Sequence, residues 1–467
     1  MARISAFGDD ALGNLDAVGV AEAIRAGAVS ASEVVEAAIT RTEKVNPELN
    51  GLAYQAFDQA RQRARAPKPF GGFFDGVPTF IKDNSAVAGW PTQQGTDAWV
   101  PRPMASDGDF ARVYLSTGLV ALGKTQLSEF GFSASAEHPR LGPVRNPWDP
   151  TVTAGASSSG SAAFVAAGAV PIAHANDGGG SIRIPAACNG LVGLKPTRGR
   201  LPVDREARMP LQIIANGVVT RSVRDTAAFF REAEKAYRNP KLPPIGDVTT
   251  AVHRRLRIAV CTSSIGHDAS PEMTALTTQV ATRLEELGHR VSTIGVPVSE
   301  RFRDDFLLYW AFLAFALVHG GKHTFGPSFD RAKLDNLTLG LERFAARNLY
   351  RLPAATARLA ASRRIPARLA QDYDVVLTPT LADVTPRIGY LDPRADYEQI
   401  ITRLIDWVGF TPLQNGSGAP AISLPLAQSA EGLPVGMMFS AAHGQEALLL
   451  ELAYELEEAI GWPSLVS

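Results

Sequence analysis

The sequence predicts an α/β protein in which strands feed helices in one mixed sheet. Three observations point there. Beyond Asn50, short apolar runs of strand length alternate with stretches of helical period. Apolar residues make up 45% and charged residues 20% of the 467 residues, the balance of a globular protein with a sizeable core. No composition break divides the chain into independent modules, so residues 1–467 read as one unit with a signature core at 50–235 and an inserted subregion at 250–370.

Taken in order, Leu15 to Thr42 has helical periodicity, and Ser30 with Glu33 three residues later is a capping box that starts a second helix. Val77 to Ile81 and Leu119 to Leu122 read as strands, Ala162 to Ala167 as a helix, and Val170 to Ala175 as a further strand. Pro240, Pro243, Pro244 and Gly246 break any helix across Arg238 to Thr250 and mark a subregion boundary. Arg257 to Cys261, Pro271 to Leu287 stopped by Gly288, and Val291 to Ile294 form a strand, helix, strand unit. Asp305 to Ala370 is mainly helical and rich in Phe, Leu and Arg, either a cap over a site or a packed outer layer. Strands return at Val375 to Thr378 and Ala421 to Leu424.

The net charge of -1 supplies no positive field for a phosphate backbone, which disfavours nucleic acid and favours a small substrate. The two cysteines, Cys188 and Cys261, form no CxxC pair and no metal-spaced cluster, so no metal is expected and a reducing compartment is. Met1 to Asp16 lacks a basic segment leading into an apolar one. Ala162 to Ala175 and Tyr309 to His319 are shorter than the roughly 20 residues that span a bilayer, so a soluble, cytoplasmic protein without membrane association is expected.

Chemistry concentrates between Thr153 and Arg200. Ser157, Ser158, Ser159 and Ser161 stand with Gly155 and Gly160 just before an apolar helix, gathering hydroxyls and N–H groups at its N-terminus. A plain serine-rich cap is the alternative. Asp177-Gly178-Gly179-Gly180-Ser181 follows a strand, and three bare residues in a row let N–H groups aim at one point beside a nucleophile. The run lacks both phosphate-loop spacings, which leaves turn glycines as the competing explanation. Lys82 ends the apolar run Val77 to Ile81; alone, it would read as a solvated strand end or an ion pair with Asp83. His174, beside the glycines, reads more readily as a satisfied core histidine than as a base.

Together, the Lys82 segment, GASSSGSAA, NDGGGSIRIPAACNGLVGLKPTRGR, Gly418 to Pro425 and Gly432 to Gly436 resemble the amidase signature family along nearly the whole chain. The resemblance implies a large mixed central sheet flanked by helices on both faces, with a helical cap-like insertion, and no cofactor. It implies a Ser-cisSer-Lys triad on Ser181 as nucleophile, Ser157 after a cis peptide bond and Lys82 as base. It places the oxyanion hole on the N–H groups of Gly178, Gly179, Gly180 and Ser181, with Ser158, Asp177 and Arg183 bonding around the triad. Two positions depart from the commonest pattern: Asn176-Asp177-Gly178-Gly179-Gly180-Ser181 replaces Thr-Asp-Thr-Gly-Gly-Ser, and Ala156 stands where a second glycine is frequent. This version is similar to bacterial members acting on cyclic oligoamides and on aryl or alkyl amides.

Amide cleavage needs a nucleophile, an anion clamp and a proton for the departing amine. A serine hydroxyl requires a base within reach, and a lysine is a base only when neutral, so Lys82 is expected to be buried with a depressed pKa. The expected reaction is that of an acylamide amidohydrolase, releasing acid plus ammonia or amine through an acyl-enzyme on Ser181. Phe130 to Trp148 and Asp305 to Ala370 are expected to shape the acyl pocket. No serine has the Gly-x-Ser-x-Gly frame of an α/β-hydrolase elbow. A subunit of a tRNA-dependent amidotransferase and a non-catalytic binding protein of the same fold are the alternatives, and a homodimer is left open.

Overall fold

The computed structural model describes residues 3–66, 71–204, 209–265 and 267–466. A helical layer comes first, α1 (Ala17–Arg25) and α2 (Ala31–Leu49). Both halves of the expected capping box form: Ser30 Oγ accepts the Glu33 N–H at 3.2 Å, and the Glu33 carboxylate accepts the Ser30 N–H at 2.8 Å. α2 runs beyond Thr42, because Val45 and Leu49 extend its buried stripe.

Next come β1 (Leu52–Gln55), α3 (Phe57–Ala64), β2 (Pro78–Lys82), α4 (Asp109–Ser116) and β3 (Val120–Thr125). Their strands form a small sheet in the order β1-β3-β2. The short pair β4 (Glu137–His138) and β5 (Gly142–Pro143) precedes α5 (Ser159–Ala166), β6 (Ile172–Asp177), α6 (Arg183–Asn189), β7 (Val192–Lys195), β8 (Ala215–Thr220) and α7 (Val223–Ala236). Then follow β9 (Arg257–Val260), α8 (Pro271–Glu286), β10 (Arg290–Thr293), α9 (Glu300–Phe325), α10 (Asn336–Asn348), α11 (Leu352–Ala361) and α12 (Arg364–Asp372). The chain closes with β11 (Val375–Pro379), α13 (Tyr397–Trp407), α14 (Pro412–Ser417), β12 (Ala421–Gln428), β13 (Pro434–Ser440) and α15 (Glu446–Ala459).

The main sheet has eight strands in the order β10-β9-β11-β13-β12-β7-β8-β6. It is mixed: β10, β9 and β11 run parallel, whereas the remaining pairings are antiparallel. Every residue of β6, β7 and β8 is buried, which requires cover on both faces of this part of the sheet. The strand, helix, strand unit expected within 250–370 does not stand apart, since β9 and β10 form one edge of this sheet. α9 to α12 follow it as the helical segment.

Two features bring the chemistry-bearing segments together. β2 lies beside β6 through side chains: Thr79 Oγ1 donates to Ile172 O at 2.8 Å, and the Lys82 N–H donates to His174 Nδ1 at 3.2 Å. α6 sits close on the sheet because Gly193 and Gly436 face it. A Cβ there would fall 2.6 Å from Ala186 Cβ and 2.4 Å from Ala187 Cβ. Among the described residues, no helix is long and apolar enough to cross a membrane.

Candidate active site

Lys82, at the end of β2, is fully buried. Its Nζ donates to Ser157 Oγ at 2.6 Å and to Asn176 Oδ1 at 2.7 Å, with Asn176 O at 3.4 Å. Burial pushes its pKa down to about 7, against a smaller opposing pull from Asp177. The neighbouring Asp83 does not neutralise it, because Asp83 pairs with the buried Lys124 at 2.8 Å. Asn176 is held in turn by Asn84: its Nδ2 donates to Asn84 Oδ1 at 2.9 Å, and Asn84 Nδ2 donates back at 3.2 Å.

His174 is a core residue. Its Nδ1 accepts the Lys82 N–H, which leaves Nε2 to carry the proton toward Asn216 Oδ1 at 3.4 Å. Burial, with the Lys82 and Lys124 charges, holds its pKa down to about 3.

The Ala156-Ser157 peptide bond is cis. Ser157 lies against Gly131, where a Cβ would come within 3.1 Å of Ser157 Oγ at a φ of +77°. Ser158 Oγ donates to Ser181 O at 2.6 Å and ties this turn to the glycine loop. Ser159, the first residue of α5, donates to Gly155 O at 2.5 Å.

The glycine loop joins β6 to α6 and is organised by Asp177. The fully buried carboxylate accepts the Gly180 N–H at 2.7 Å, the Ile182 N–H at 3.2 Å, and both Arg183 Nε and Nη2 at 2.9 Å. Burial alone would raise the Asp177 pKa, but the Arg183 charge and hydrogen bonds hold it at about 2. Arg183 is also fully buried, and Nη1 donates to Thr411 O at 2.9 Å while Nη2 donates to Asn415 Oδ1 at 2.7 Å. Asn415 Nδ2 returns to Asp177 O at 2.9 Å, and Thr411 Oγ1 donates to Gly179 O at 2.6 Å. A Cβ on Gly180, at φ +140°, would sit 2.4 Å from Thr411 Oγ1.

The Gly180 N–H is therefore taken by Asp177 and is not free to face a reacting oxygen. The N–H groups of Gly178, Gly179 and Ser181 carry no such side-chain bond among the described residues. Ser181, Gly179 and Ala156 line a cavity of ≈ 110 Å³ whose opposite wall is apolar, with Phe132, Phe306 and Trp310 prominent. Trp310 lies 3.4 Å from where a Gly178 Cβ would be and stacks edge-on against Phe132 at 5.4 Å. Among the described residues, no group of three His, Cys, Asp or Glu side chains is arranged to hold a metal ion.

The chain thus brings Lys82, Ser157, Ser158, Asp177, Arg183 and Ser181 into one site. Of the two segments expected to shape the pocket, residues 131–134 and the start of α9 do so. Ile401, Leu404, Ile405 and Val408, in and just after α13, complete the wall. The sequence reading missed that contribution, although the apolar period of Ile400, Ile401, Leu404 and Ile405 was legible. It also missed Thr411 and Asn415, which lie in no motif, and Asn176, which stands inside one.

A family model described as Amidase matches residues 33–450. "Putative amidase AmiC" of Mycobacterium leprae (strain TN) is 67% identical over 464 residues, covering 99% of this chain and 98% of that one. The 6-aminohexanoate-cyclic-dimer hydrolase of Pseudomonas sp. (strain NK87) is 31% identical over 479 residues, covering 96% of this chain and 95% of that one. Among solved structures, a bacterial aryl acylamidase of the amidase signature enzymes superposes with a TM-score of 0.85 at 28% identity, covering 96% of each chain.

Proposed function

The chain belongs to the amidase family, and from that premise we propose that it hydrolyses small, neutral carboxylic amides with an apolar acyl group through an acyl-enzyme on Ser181. One observation carries the reading. A buried lysine with a pKa of about 7 reaches a serine hydroxyl at 2.6 Å, beside a second serine that opens on an apolar cavity.

In this reading Ser181 Oγ attacks the carbonyl carbon and gives its proton to Ser157 Oγ, whose own proton passes to neutral Lys82 Nζ. About half of Lys82 is neutral at pH 7, against about 0.03% for an unshifted lysine, so burial raises the available base by about 10³-fold. Negative charge developing on the carbonyl oxygen is met by the N–H groups of Gly178, Gly179 and Ser181. The Gly180 N–H acts indirectly, by fixing the loop to Asp177. Lys82 returns its proton through Ser157 to the departing nitrogen. Water then attacks the ester, giving its proton along the same route, and releases the acid.

The walls support an apolar acyl group: Phe132, Phe306, Trp310 and Leu404 offer dispersion contacts, and the charged residue on the lining, Arg303, is already paired with Asp304 at 3.2 Å. The names of two relatives, a 6-aminohexanoate-cyclic-dimer hydrolase and a bacterial aryl acylamidase, support an amide substrate.

The test is release of ammonia or amine from a panel of aliphatic, aromatic and anilide amides. The parent is expected to hydrolyse at least one member. Ser181→Ala should lose at least about 10⁴-fold in kcat/KM. Lys82→Ala should lose about 10²–10⁴-fold, with both variants folded. Folded variants that retain parental activity, or a parent inert even toward a reactive ester, would overturn the proposal.

A further inference from the structure

α14 touches two cavities of opposite character. Pro412, at its start, borders the apolar cavity beside Ser181. Ser417, at its end, borders a cleft of ≈ 770 Å³ in which Arg198, Lys241, Arg363, Arg364, Arg368 and His443 converge. No Asp or Glu is among the described residues lining that cleft.

The cations come from separate parts of the chain: the segment after β7, the loop after α7, the start of α12 and the loop after β13. Among the described residues, none of the five Arg and Lys side chains forms an ion pair, whereas arginines elsewhere, such as Arg200, Arg254 and Arg358, pair with Glu234, Asp374 and Asp305. Arg198 is half-buried. Its Nη2 donates to Asn415 O at 2.8 Å and Gly416 O at 2.7 Å, while Nε is buried without a hydrogen-bond partner among the described residues. His443 Nε2 donates to Ser417 O at 3.0 Å.

Five like charges held together without a counter-charge repel one another, and the arrangement is relieved by an anion. Four of the five are arginines, whose planar forks match phosphate oxygens two at a time. The volume lies in the range of small-molecule sites, about 300–1,000 Å³, and exceeds what a single phosphate fills. A nucleic acid strand would require a basic track beyond one cleft, and a chain of net charge -1 supplies no general positive field to extend it. We propose that this cleft is a binding site for a small polyphosphorylated molecule, separate from the site around Ser181.

The experiment is calorimetric titration of the full chain at low ionic strength with inorganic triphosphate, pyrophosphate and citrate. Triphosphate should bind saturably, once per chain, with a Kd below about 1 mM. Added salt should weaken it, and citrate should bind at least about ten-fold more weakly. The combined Arg363→Gln, Arg364→Gln and Arg368→Gln variant changes only exposed side chains and should weaken triphosphate binding at least about ten-fold. An equal charge change at the exposed Arg102, Arg290 and Arg347 should alter it by less than about two-fold. Lys241→Gln alone should give a smaller loss in the same direction, so the cleft can be probed by a second, single change. No saturation with triphosphate, equal losses in the cleft and control variants, or equal binding of citrate would overturn the proposal.

Discussion

Asn176→Asp changes one atom and should convert the amidase into an enzyme that works only at high pH. Asn176 Oδ1 receives Lys82 Nζ at 2.7 Å in a buried setting, so the substitution places a carboxylate directly against the amine. An opposite charge at such range favours the ammonium form and raises a pKa by about 1–3 units, about two units being the central value. From a starting value of about 7, a rise of about two units leaves only about 1% of Lys82 neutral at pH 7, down from about half. kcat/KM at pH 7 should then fall about 50-fold, and the loss should vanish as pH approaches about 10. In the parent, kcat/KM should rise about ten-fold per pH unit below 7 and level off above it, because only deprotonated Lys82 accepts the proton. The assay is kcat/KM from pH 5.5 to 10 on one neutral amide, with circular dichroism confirming the fold. A variant that keeps the parental profile, or one that stays folded yet is equally impaired at every pH, would refute Lys82 as the base.

Two further outcomes follow from the same geometry. Arg183→Met should destabilise the fold by about 3–5 kcal/mol in urea denaturation, since it strands the fully buried Asp177 carboxylate. In the parent, Asp177 titrates at about 2 when folded and at about 3.9 when unfolded, so its contribution is complete above about pH 4 and is lost as pH falls through 2; an equal Arg183→Met cost at pH 7 and pH 2 would contradict this. Trp310→Ala should shift the preference toward bulkier acyl groups by about ten-fold in relative kcat/KM, because Trp310 forms the wall over Gly178 and Gly179; an unchanged substrate ranking would refute that role.

Much of this site was legible in the chain because local rules select its parts. A capping box starts α2, short apolar runs form β2 and β6, and three glycines before Ser181 allow a turn that a side chain at Gly180 would block. The roles of Lys82, Ser157 and Ser181 came from the resemblance of the motifs around them, since Lys82 alone reads as a solvated strand end and the serines as a helix cap. Periodicity also revealed that residues 257–294 would make a strand, helix and strand. It carried no information on which sheet they would join, because pairing partners are set by contacts distant in sequence.

Tertiary structure alone decided the rest. Whether Lys82 pairs with Asp83 or stands neutral depends on Lys124 occupying Asp83 and on Asn176, 94 residues away, receiving the amine. Which glycine N–H groups remain free depends on the Asp177 carboxylate, itself fixed by Asn415 at a separation of 238 residues. α13 closes the cavity from a part of the chain that no motif marks. Sequence determined which groups were present and the local shapes they prefer; burial and long-range contacts determined their charge, their partners and the space they enclose, because desolvation and hydrogen bonding belong to the folded assembly of all these segments at once.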